Sequence, residues 1–254
     1  MHPYTKTFAR AYNQMWTDFA DRVAPRIIEF YKNTGPGKEK KPLLDLCCGV
    51  GTNSLHFLAA GFETVGVDLS PHMLEFARDN AREYIEAGKA KFVNADATEF
   101  DLAEKGSFGI AISTFDSLNH LENSDDLKKV MKNVFEELSP GGYFIFDLNT
   151  RKGLESWDSI EATDTDEMML LRRGGFDEDG GQAFYRATGF LKDPDGRYSR
   201  FEQTVVERVY VMEDVKKWVL DTGFSEVMLS THSFLGEPVE DPESETRVAF
   251  IARK

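Results

Sequence analysis

Short apolar runs alternate with amphipathic stretches between residues 43 and 147. Within those stretches apolar residues recur every three or four positions, as at Leu127, Val130, Met131 and Val134, which predicts helices. The short runs show little polar alternation, which favours strands buried on both faces of a parallel sheet. The predicted strands are Leu43–Cys48, Thr64–Val67, Lys91–Val93, Phe108–Ser113 and Tyr143–Asp147.

The pattern changes after residue 150. Runs with period-two alternation are separated by two turn signals, Asp-Glu-Asp-Gly-Gly at 177–181 and Asp-Pro-Asp-Gly at 193–196. Alternation between such turns predicts an antiparallel sheet inserted after the fifth strand. The alternating runs are Met168–Leu171, Ala183–Leu191 and Tyr198–Tyr210.

A helical pattern returns at Met212–Thr222 and is followed by two more apolar runs, Phe224–Leu229 and Arg247–Ile251. Together with the five earlier runs, these give seven strands for the main sheet. The predicted fold class is therefore α/β, a doubly wound, mostly parallel seven-stranded sheet with an inserted antiparallel β-sheet.

A glycine turn follows the first predicted strand. Gly49 and Gly51 permit a tight turn and close approach of a ligand to the backbone. Asp68 ends the second strand 17 residues after Gly51, near the spacing of about 20 that places an acid on a ribose in nucleotide-binding units. Ser54 replaces the third glycine of the dinucleotide pattern, and Asp45 inside the first strand would repel a pyrophosphate. A carboxylate there suits a cation or an amine.

This turn resembles motif I of the class I S-adenosylmethionine-dependent methyltransferases, which commonly reads D-x-G-x-G-x-G. Cys47 stands at the position of the first glycine. The resemblance implies a Rossmann-like fold of the small-molecule methyltransferase type and S-adenosyl-L-methionine as the cofactor. It also implies that Asp45, Cys47, Gly49 and Gly51 belong to the cofactor site.

Two further motifs carry the same resemblance. The segment Asp-Leu-Ser-Pro-His-Met-Leu at 68–74 implies that Asp68 binds the ribose hydroxyls, with Leu69 and Met73 beside the adenine. Asp96, followed by Ala97, stands where the family has an acid that accepts from the adenine amino group. Plain core packing of Met73 and a loop cap made by Asp96 are the alternatives.

Aromatic residues recur at helical spacing near the start of the chain. This stretch either packs a helix on the domain or caps the cofactor. Many small-molecule methyltransferases open with a similar Tyr-x-x-x-Phe-Ala-x-x-Tyr segment, and the resemblance implies that the tyrosines face the methionine end of the cofactor. The matching residues are Tyr4, Phe8, Ala9 and Tyr12.

The polar loop 114–121 leaves the carboxyl end of a central strand, where ligands bind in doubly wound sheets. The resemblance implies that this loop passes the cofactor sulfur and opens to the methyl acceptor. We therefore assign Phe115 to the cofactor and Asp116, Asn119 and His120 to the acceptor. His120 could act as a base near neutral pH, and a purely structural hydrogen bond is the alternative.

The insertion resembles one that shapes the acceptor site in several small-molecule methyltransferases. A dimer interface or a structural flap is equally open. Asp147 and Asn149 leave the fifth strand near the expected acceptor pocket. Part of the insertion is similar to amino-sugar N-methyltransferases, although Val205 stands where a histidine is often found. The residues that fit are Arg200, Phe201, Glu202, Glu207, Arg208 and Tyr210.

Composition and net charge limit which classes of binding partner the sequence predicts. The net charge of −14 and the pI of about 4.9 argue against a nucleic-acid substrate. The two cysteines, adjacent in sequence, form neither a disulfide framework nor a metal signature, so no metal is expected. No apolar run approaches the roughly 18 residues of a membrane span, and no signal peptide is recognised, which predicts a cytoplasmic protein.

These observations predict four units and one activity. The units are an N-terminal helical cap (1–40), a cofactor-binding core (41–150), an antiparallel β insertion (151–210) and a core completion of helix and closing strands (211–254). The predicted enzyme transfers a methyl group from S-adenosyl-L-methionine to an N or O nucleophile of a small molecule. A monomer and a homodimer are both open. An NAD-dependent oxidoreductase and a non-catalytic S-adenosylmethionine-binding protein are the alternatives.

Overall fold

The computed structural model describes residues 4–102, 105–231 and 235–254. Its strands are β1 (Leu43–Leu46), β2 (Thr64–Asp68), β3 (Ala90–Asn94), β4 (Phe108–Ser113), β5 (Leu138–Asn149), β6 (Ile160–Asp164), β7 (Met168–Asp177), β8 (Gln182–Lys192), β9 (Tyr198–Arg208), β10 (Glu226–Ser230) and β11 (Arg247–Arg253).

The α-helices are α1 (Lys6–Met15), α2 (Asp18–Lys32), α3 (Gly35–Lys38), α4 (Thr52–Ala59), α5 (Pro71–Asn80), α6 (Arg82–Glu86), α7 (Ser124–Glu137), α8 (Arg151–Glu155) and α9 (Met212–Thr222). Short 3-10 helices cover Ser117–His120 and Pro242–Ser244. Among the described residues, none of these helices has the length and apolar character that crossing a membrane requires.

The main sheet has seven strands in the order β10-β11-β5-β4-β1-β2-β3. Strands β1 to β5 are parallel, and β11 runs antiparallel to both β5 and β10. Successive strands move outward from β1 through β2 to β3, and then from β4 to β5 on the other side. The carboxyl ends of β1 and β4 thus border the crevice at which such sheets bind ligands.

Helices cover both faces of this sheet. Leu44 and Leu46 of β1 lie in one core cluster with Val130 of α7 and Val215 of α9. Leu43, on the other face, lies in a second cluster that includes residues of α2. The doubly wound α/β architecture predicted from the apolar runs is confirmed.

The inserted sheet has the order β6-β7-β8-β9 and is antiparallel throughout. Its inner face packs on α1, where Phe8 meets Phe201 at 6.1 Å between ring centroids. The predicted antiparallel insertion is therefore confirmed, with one more strand than the alternating runs indicated. Strand β6 was missed because its side chains are mostly exposed and carry no apolar alternation.

Some predicted boundaries were wrong. Strand β1 ends at Leu46, because Cys47 turns into the left-handed region with φ 57°. Helix α3 is a single turn, capped because Gly37 N–H donates to Thr34 Oγ1 at 3.1 Å. Strand β5 starts at Leu138, which pairs with Phe108.

Helix α8 lies against the chain that enters β11. A Cβ added to Gly153 would fall 2.0 Å from the carbonyl oxygen of Thr246, which is backbone and cannot rotate away. We therefore expect Gly153→Ala to lower the free energy of unfolding by about 1–3 kcal/mol in urea denaturation. Gly35→Ala, with nothing within 4 Å of the added atom, is the control and should change it by about 0.5 kcal/mol or less. Equal stability of the two variants would contradict this close approach.

Candidate active site

A cavity of about 610 Å³ lies between the carboxyl ends of the central strands and the inserted sheet. The structure brings most of the predicted site residues to its wall, namely Tyr4, Tyr12, Cys47, Gly49, Asp68, Leu69, Met73, Asp96, Ala97, Phe115 and His120. Asp45 and Gly51 do not line it.

The turn after β1 and the end of β2 are tied together through Asp68. Gly49 N–H donates to its Oδ2 and Ser70 N–H donates to its Oδ1, each at 2.8 Å. Burial raises the pKa of Asp68, and these two donors oppose the rise. Each carboxylate oxygen keeps a further lone pair for a ligand hydroxyl. Gly49 has φ 55°, and an added Cβ would lie 3.2 Å from Met73 Cε, so only glycine keeps this part of the wall open.

Asp45 and Gly51 lie behind the wall and support it. Ser54 Oγ donates to Asp45 Oδ2 at 2.6 Å, both residues being fully buried. The two residues that disfavoured a dinucleotide site are thus partners in one hydrogen bond. Burial raises the pKa of Asp45 to about 7, against the lowering effect of Ser54. Gly51 lets α4 approach α5, because its added Cβ would meet Ala77 Cβ at 3.2 Å.

The wall beyond Asp68 is mainly apolar. Leu69, Met73 and Ala97 line it, and Asp96 stands at its edge. Thr98 fixes that carboxylate, because its N–H and its hydroxyl donate to Asp96 Oδ1 at 2.8 and 2.7 Å. An apolar slot with one fixed acceptor at the rim suits a flat heteroaromatic ring that carries an amino group.

Helix α1 and the residues that flank it supply an aromatic wall. Tyr4 and Tyr12 have ring centroids 6.4 Å apart, and Tyr12 and Trp16 are 5.7 Å apart. Burial raises the pKa of both tyrosines, so that their hydroxyls stay protonated at neutral pH. The electron-rich faces of such rings favour a positively charged ligand group.

The loop after β4 carries two consecutive residues with left-handed backbone, Phe115 (φ 63°) and Asp116 (φ 53°). Such conformations are costly for residues with side chains, and here Asp147 holds them. Its carboxylate accepts from the N–H groups of Phe115 and Asp116 at 3.0 and 2.7 Å. Phe115 also stacks on Phe19, with centroids 4.8 Å apart.

Arg247 connects this loop to β11. Its guanidinium donates to Asp116 Oδ2 at 2.6 Å and to Asp147 Oδ1 at 2.8 Å, with its side chain 13% exposed. It also lies over the rings of Phe19 and Phe115, at 4.9 and 5.6 Å from their centroids. Burial would lower the pKa of Arg247, but the two carboxylates outweigh this and keep it charged.

Asn149 joins two carboxylates deeper in the cluster. Its Nδ2 donates to Asp116 Oδ2 at 2.7 Å and to Glu207 Oε2 at 2.8 Å. Burial raises the pKa of Glu207 well above its ordinary value, and the charge of Asp116 adds to the rise. No hydrogen bond from the described residues reaches the other oxygen, Glu207 Oε1.

His120 faces that oxygen. Its Nδ1 lies 2.9 Å from the carbonyl oxygen of Val206, so this nitrogen donates a proton, and in the neutral ring Nε2 carries the lone pair. Nε2 lies 3.8 Å from Glu207 Oε1. Asp116, His120 and Glu207 each offer an atom within 4.8 Å of the others, and within the described parts of the chain this trio could also hold a metal ion.

Three residues expected at the acceptor pocket support it from behind. Asn119 is fully buried, and its Nδ2 donates to the carbonyl oxygens of Asn149 and Arg208 at 3.1 and 2.9 Å. Asp147 and Asn149 likewise do not line the cavity. Asn119 was assigned to the acceptor, and Asp147 and Asn149 were expected near its pocket, because the sequence does not show that the backbone and neighbouring side chains already satisfy these polar groups.

Other lining residues were missed, namely Trp16, Trp157, Arg172, Tyr185 and Arg247. Trp157 and Tyr185 come from the insertion side and form an edge-to-face pair at 5.1 Å. The insertion pattern could have suggested alternate residues of β8 as lining. Nothing in the sequence distinguishes Arg247 from an ordinary first residue of an apolar strand.

Similarity to known proteins identifies the family of this chain. A family model described as "Methyltransferase domain" matches residues 43–142. The crystal structure of an S-adenosylmethionine-dependent methyltransferase from Clostridium acetobutylicum ATCC 824 aligns with a TM-score of 0.78 and 25% identity, over 97% of each chain. This chain is a class I S-adenosylmethionine-dependent methyltransferase.

Two sequence relatives of the methyltransferase extend the comparison. YqeM of Bacillus subtilis (strain 168), itself named only as a methyltransferase candidate, is 27% identical over 99% of this chain and 94% of its own length. The dTDP-3-amino-3,4,6-trideoxy-alpha-D-glucopyranose N,N-dimethyltransferase of Streptomyces venezuelae is 31% identical over 49% of this chain and 48% of its own length. The predicted cofactor of the methyltransferase is confirmed, and the oxidoreductase alternative is not favoured.

The buried carboxyl group of Asp45 should make the free energy of unfolding of the methyltransferase depend on pH. The folded-state pKa of Asp45 is raised from 3.8 to about 7, so the folded chain binds more protons than the unfolded chain in this window and loses stability as the pH rises. Asp45→Asn removes this loss. From pH 4 to pH 8 the variant should gain about 2–4 kcal/mol relative to the wild type.

Urea denaturation across this pH range measures the difference. The control is Asp164→Asn in β6, an exposed position, which should follow the pH dependence of the wild type. A constant difference between Asp45→Asn and the wild type would show that Asp45 does not take up a proton on folding in this window.

Proposed function

We propose that this methyltransferase acts on an N or O nucleophile of a small molecule held between the 114–121 loop and the inserted sheet. One observation carries the proposal. A single cavity joins the residues of the cofactor motifs to His120, Glu207 and the insertion residue Tyr185. Its volume of about 610 Å³ lies within the range of about 300–1,000 Å³ that small-molecule sites occupy.

The wall fits S-adenosyl-L-methionine in chemistry. We propose that Asp68 receives the ribose hydroxyls, that Leu69, Met73 and Ala97 enclose the adenine, and that Asp96 accepts from its amino group. A carboxylate that can accept from hydroxyls, apolar side chains and a second fixed acceptor all line the cavity.

The remaining cofactor residues suit the methionine end. We propose that Cys47 and Gly49 lie along it, with Tyr4, Tyr12 and Phe115 around the charged sulfur. Asp45 and Gly51 act indirectly, because they hold the turn in place from behind.

S-adenosyl-L-methionine supplies, when bound, a methyl group on positively charged sulfur, whose C–S electron pair leaves with the sulfur as the acceptor takes the methyl group. The chain's own task is to orient the acceptor and to exclude water. His120 Nε2, fixed as the unprotonated nitrogen by Val206, can take a proton from the acceptor.

The four predicted units divide these tasks. The cap 1–40 provides the aromatic wall, the core 41–150 the cofactor turn, the insertion 151–210 the cover, and residues 211–254 Arg247. Among the relatives, the Streptomyces venezuelae enzyme is named for an amino-sugar acceptor and a Halorhodospira halochloris enzyme for glycine and sarcosine, which supports a small-molecule acceptor here. The homodimer and the cytoplasmic location stay predictions.

Titration calorimetry with S-adenosylmethionine and S-adenosylhomocysteine tests the cofactor site. We expect Asp68→Ala to weaken binding by about 1–3 kcal/mol, because a buried hydrogen-bond acceptor is lost. Asp79→Ala on α5, an exposed position, is the matched control and should bind like the wild type. An absence of saturable binding by the wild type would sink the proposed function, and unchanged affinity in Asp68→Ala would remove Asp68 from the site.

His120→Gln tests the base. With an acceptor found by screening amines and alcohols, we expect kcat to fall by about 100-fold or more while the affinity for S-adenosylmethionine is kept. His72→Gln is the control. The side chain of His72 is half-exposed, lies on α5 and does not line the cavity. If His120→Gln turns over at the wild-type rate, the role of His120 is limited to its hydrogen bond with Val206.

A further inference from the structure

The acceptor end of the cavity carries a buried excess of negative charge. Asp116, Asp147 and Glu207 are there with one guanidinium, that of Arg247, and all four side chains are at most 13% exposed. When the three carboxylates are ionised, two negative charges remain unpaired. Burying such charges is costly unless a cation compensates them.

Two of these carboxylates keep an oxygen that no hydrogen-bond donor of the described residues reaches. These oxygens are Asp116 Oδ1 and Glu207 Oε1. Asp116 Oδ2 and Glu207 Oε2 are occupied by Asn149 and, for Asp116, by Arg247. Glu207 Oε1 has no hydrogen-bond donor among the described residues, although the residue is only 2% exposed and lines the cavity. His120 Nε2 lies 3.8 Å from this oxygen.

We propose that this trio, Asp116, His120 and Glu207, recognises the positively charged amino group of the acceptor, and that the acceptor carries no phosphate or carboxylate group. A primary ammonium has three N–H donors, and the trio offers three acceptor atoms within 4.8 Å of one another. Acceptors about 2.7–2.9 Å from one ammonium nitrogen lie about 4.4–4.7 Å apart in tetrahedral geometry, so His120 Nε2 and Glu207 Oε1, at 3.8 Å, would share the ammonium at a narrower angle. This inference rests on the proposed function and selects nitrogen as its nucleophile.

The rest of the lining supports a cationic acceptor. The carboxyl groups on the wall outnumber the guanidinium groups, which belong only to Arg172 and Arg247 among the described lining residues. Arg247 is saturated by two carboxylates, and Arg172 pairs with Glu161. A nucleotide-linked sugar would bring two phosphates to this wall. The lining acids are Asp68, Asp96, Asp116, Glu122, Asp126, Glu161 and Glu207.

The same geometry indicates which atom takes the proton that the ammonium must lose. One N–H bond of the ammonium faces His120 Nε2. When it breaks, the electron pair stays on the acceptor nitrogen and the proton moves to Nε2. The imidazolium that forms lies beside Glu207, and its charge favours the ionised form of that carboxyl group. The amine nitrogen then turns its new lone pair from the imidazolium toward the cofactor end, as methyl transfer requires.

Direct binding tests this without turnover. Ligand-observed NMR titrations would use cyclohexylamine, which is charged at neutral pH, together with cyclohexanol and cyclohexanecarboxylate, with S-adenosylhomocysteine present to occupy the cofactor end. We expect the amine to bind at least about tenfold tighter than the alcohol, and the carboxylate not to bind.

Glu207→Gln should remove most of this preference, and Asp116→Asn serves as a second variant. Glu202→Gln, on the opposite face of β9 and paired with Arg186 and Arg200, is the control and should keep it. Retained affinity for S-adenosylhomocysteine shows that each variant is folded.

Three outcomes would overturn the inference. These are equal affinity for amine and alcohol, an amine preference that survives in both variants, and Mn²⁺ or Zn²⁺ binding at the trio that excludes the amine. A wild type that binds the amine but not S-adenosylmethionine would instead contradict the proposed function alone. The two failures are therefore distinguishable.

Discussion

Arg247 bridges two carboxylates that come from different parts of the chain, Asp116 and Asp147, and the shape of the acceptor end depends on this contact. Asp147 uses the same carboxylate to hold the strained backbone of Phe115 and Asp116. Without the guanidinium, two carboxylates would lie close together in a poorly solvated place, and breaking such a buried pair costs about 3–5 kcal/mol. The loop would then lose both its charge balance and the reason for its conformation.

Residues that touch the cavity are thus held by residues that do not. Asn149 orients Asp116 and Glu207, and Asn119 joins the 3-10 helix to the backbone of β5 and β9. The inserted sheet is attached to the core by these contacts near the cavity and by the packing of α1 on its inner face. Cover and core therefore meet at the acceptor site, so that differences in the insertion would change the acceptor more than the cofactor.

Helices and strands that follow from local sequence patterns were predicted well. Phe108–Ser113 and Met212–Thr222 have the bounds read from periodicity, because continuous apolar runs and regular helical spacing are local properties. Most of the residues predicted for the cofactor do line the cavity, since they lie at fixed offsets from strand ends. Strand β6 was not, because it is exposed and stabilised by pairing with β7.

The acceptor end was the least predictable part. Arg247 pairs with residues 100 and 131 positions away, and Glu207 meets Asn149 across 58 positions. Such contacts follow from the folded topology and leave no spacing in the sequence. Asn119 was assigned wrongly for the same reason, because its partners at Asn149 and Arg208 become neighbours only in the fold.

The hydrogen bond between Asp45 and Ser54 limits how this chain could evolve toward another cofactor. Replacing Ser54 by glycine would complete the dinucleotide pattern, but it would also strip a deeply buried acid of its donor. Loss of the acid alone would likewise leave the buried Ser54 hydroxyl without its acceptor. The two positions are therefore coupled, and a substitution at either one changes the cost of a substitution at the other.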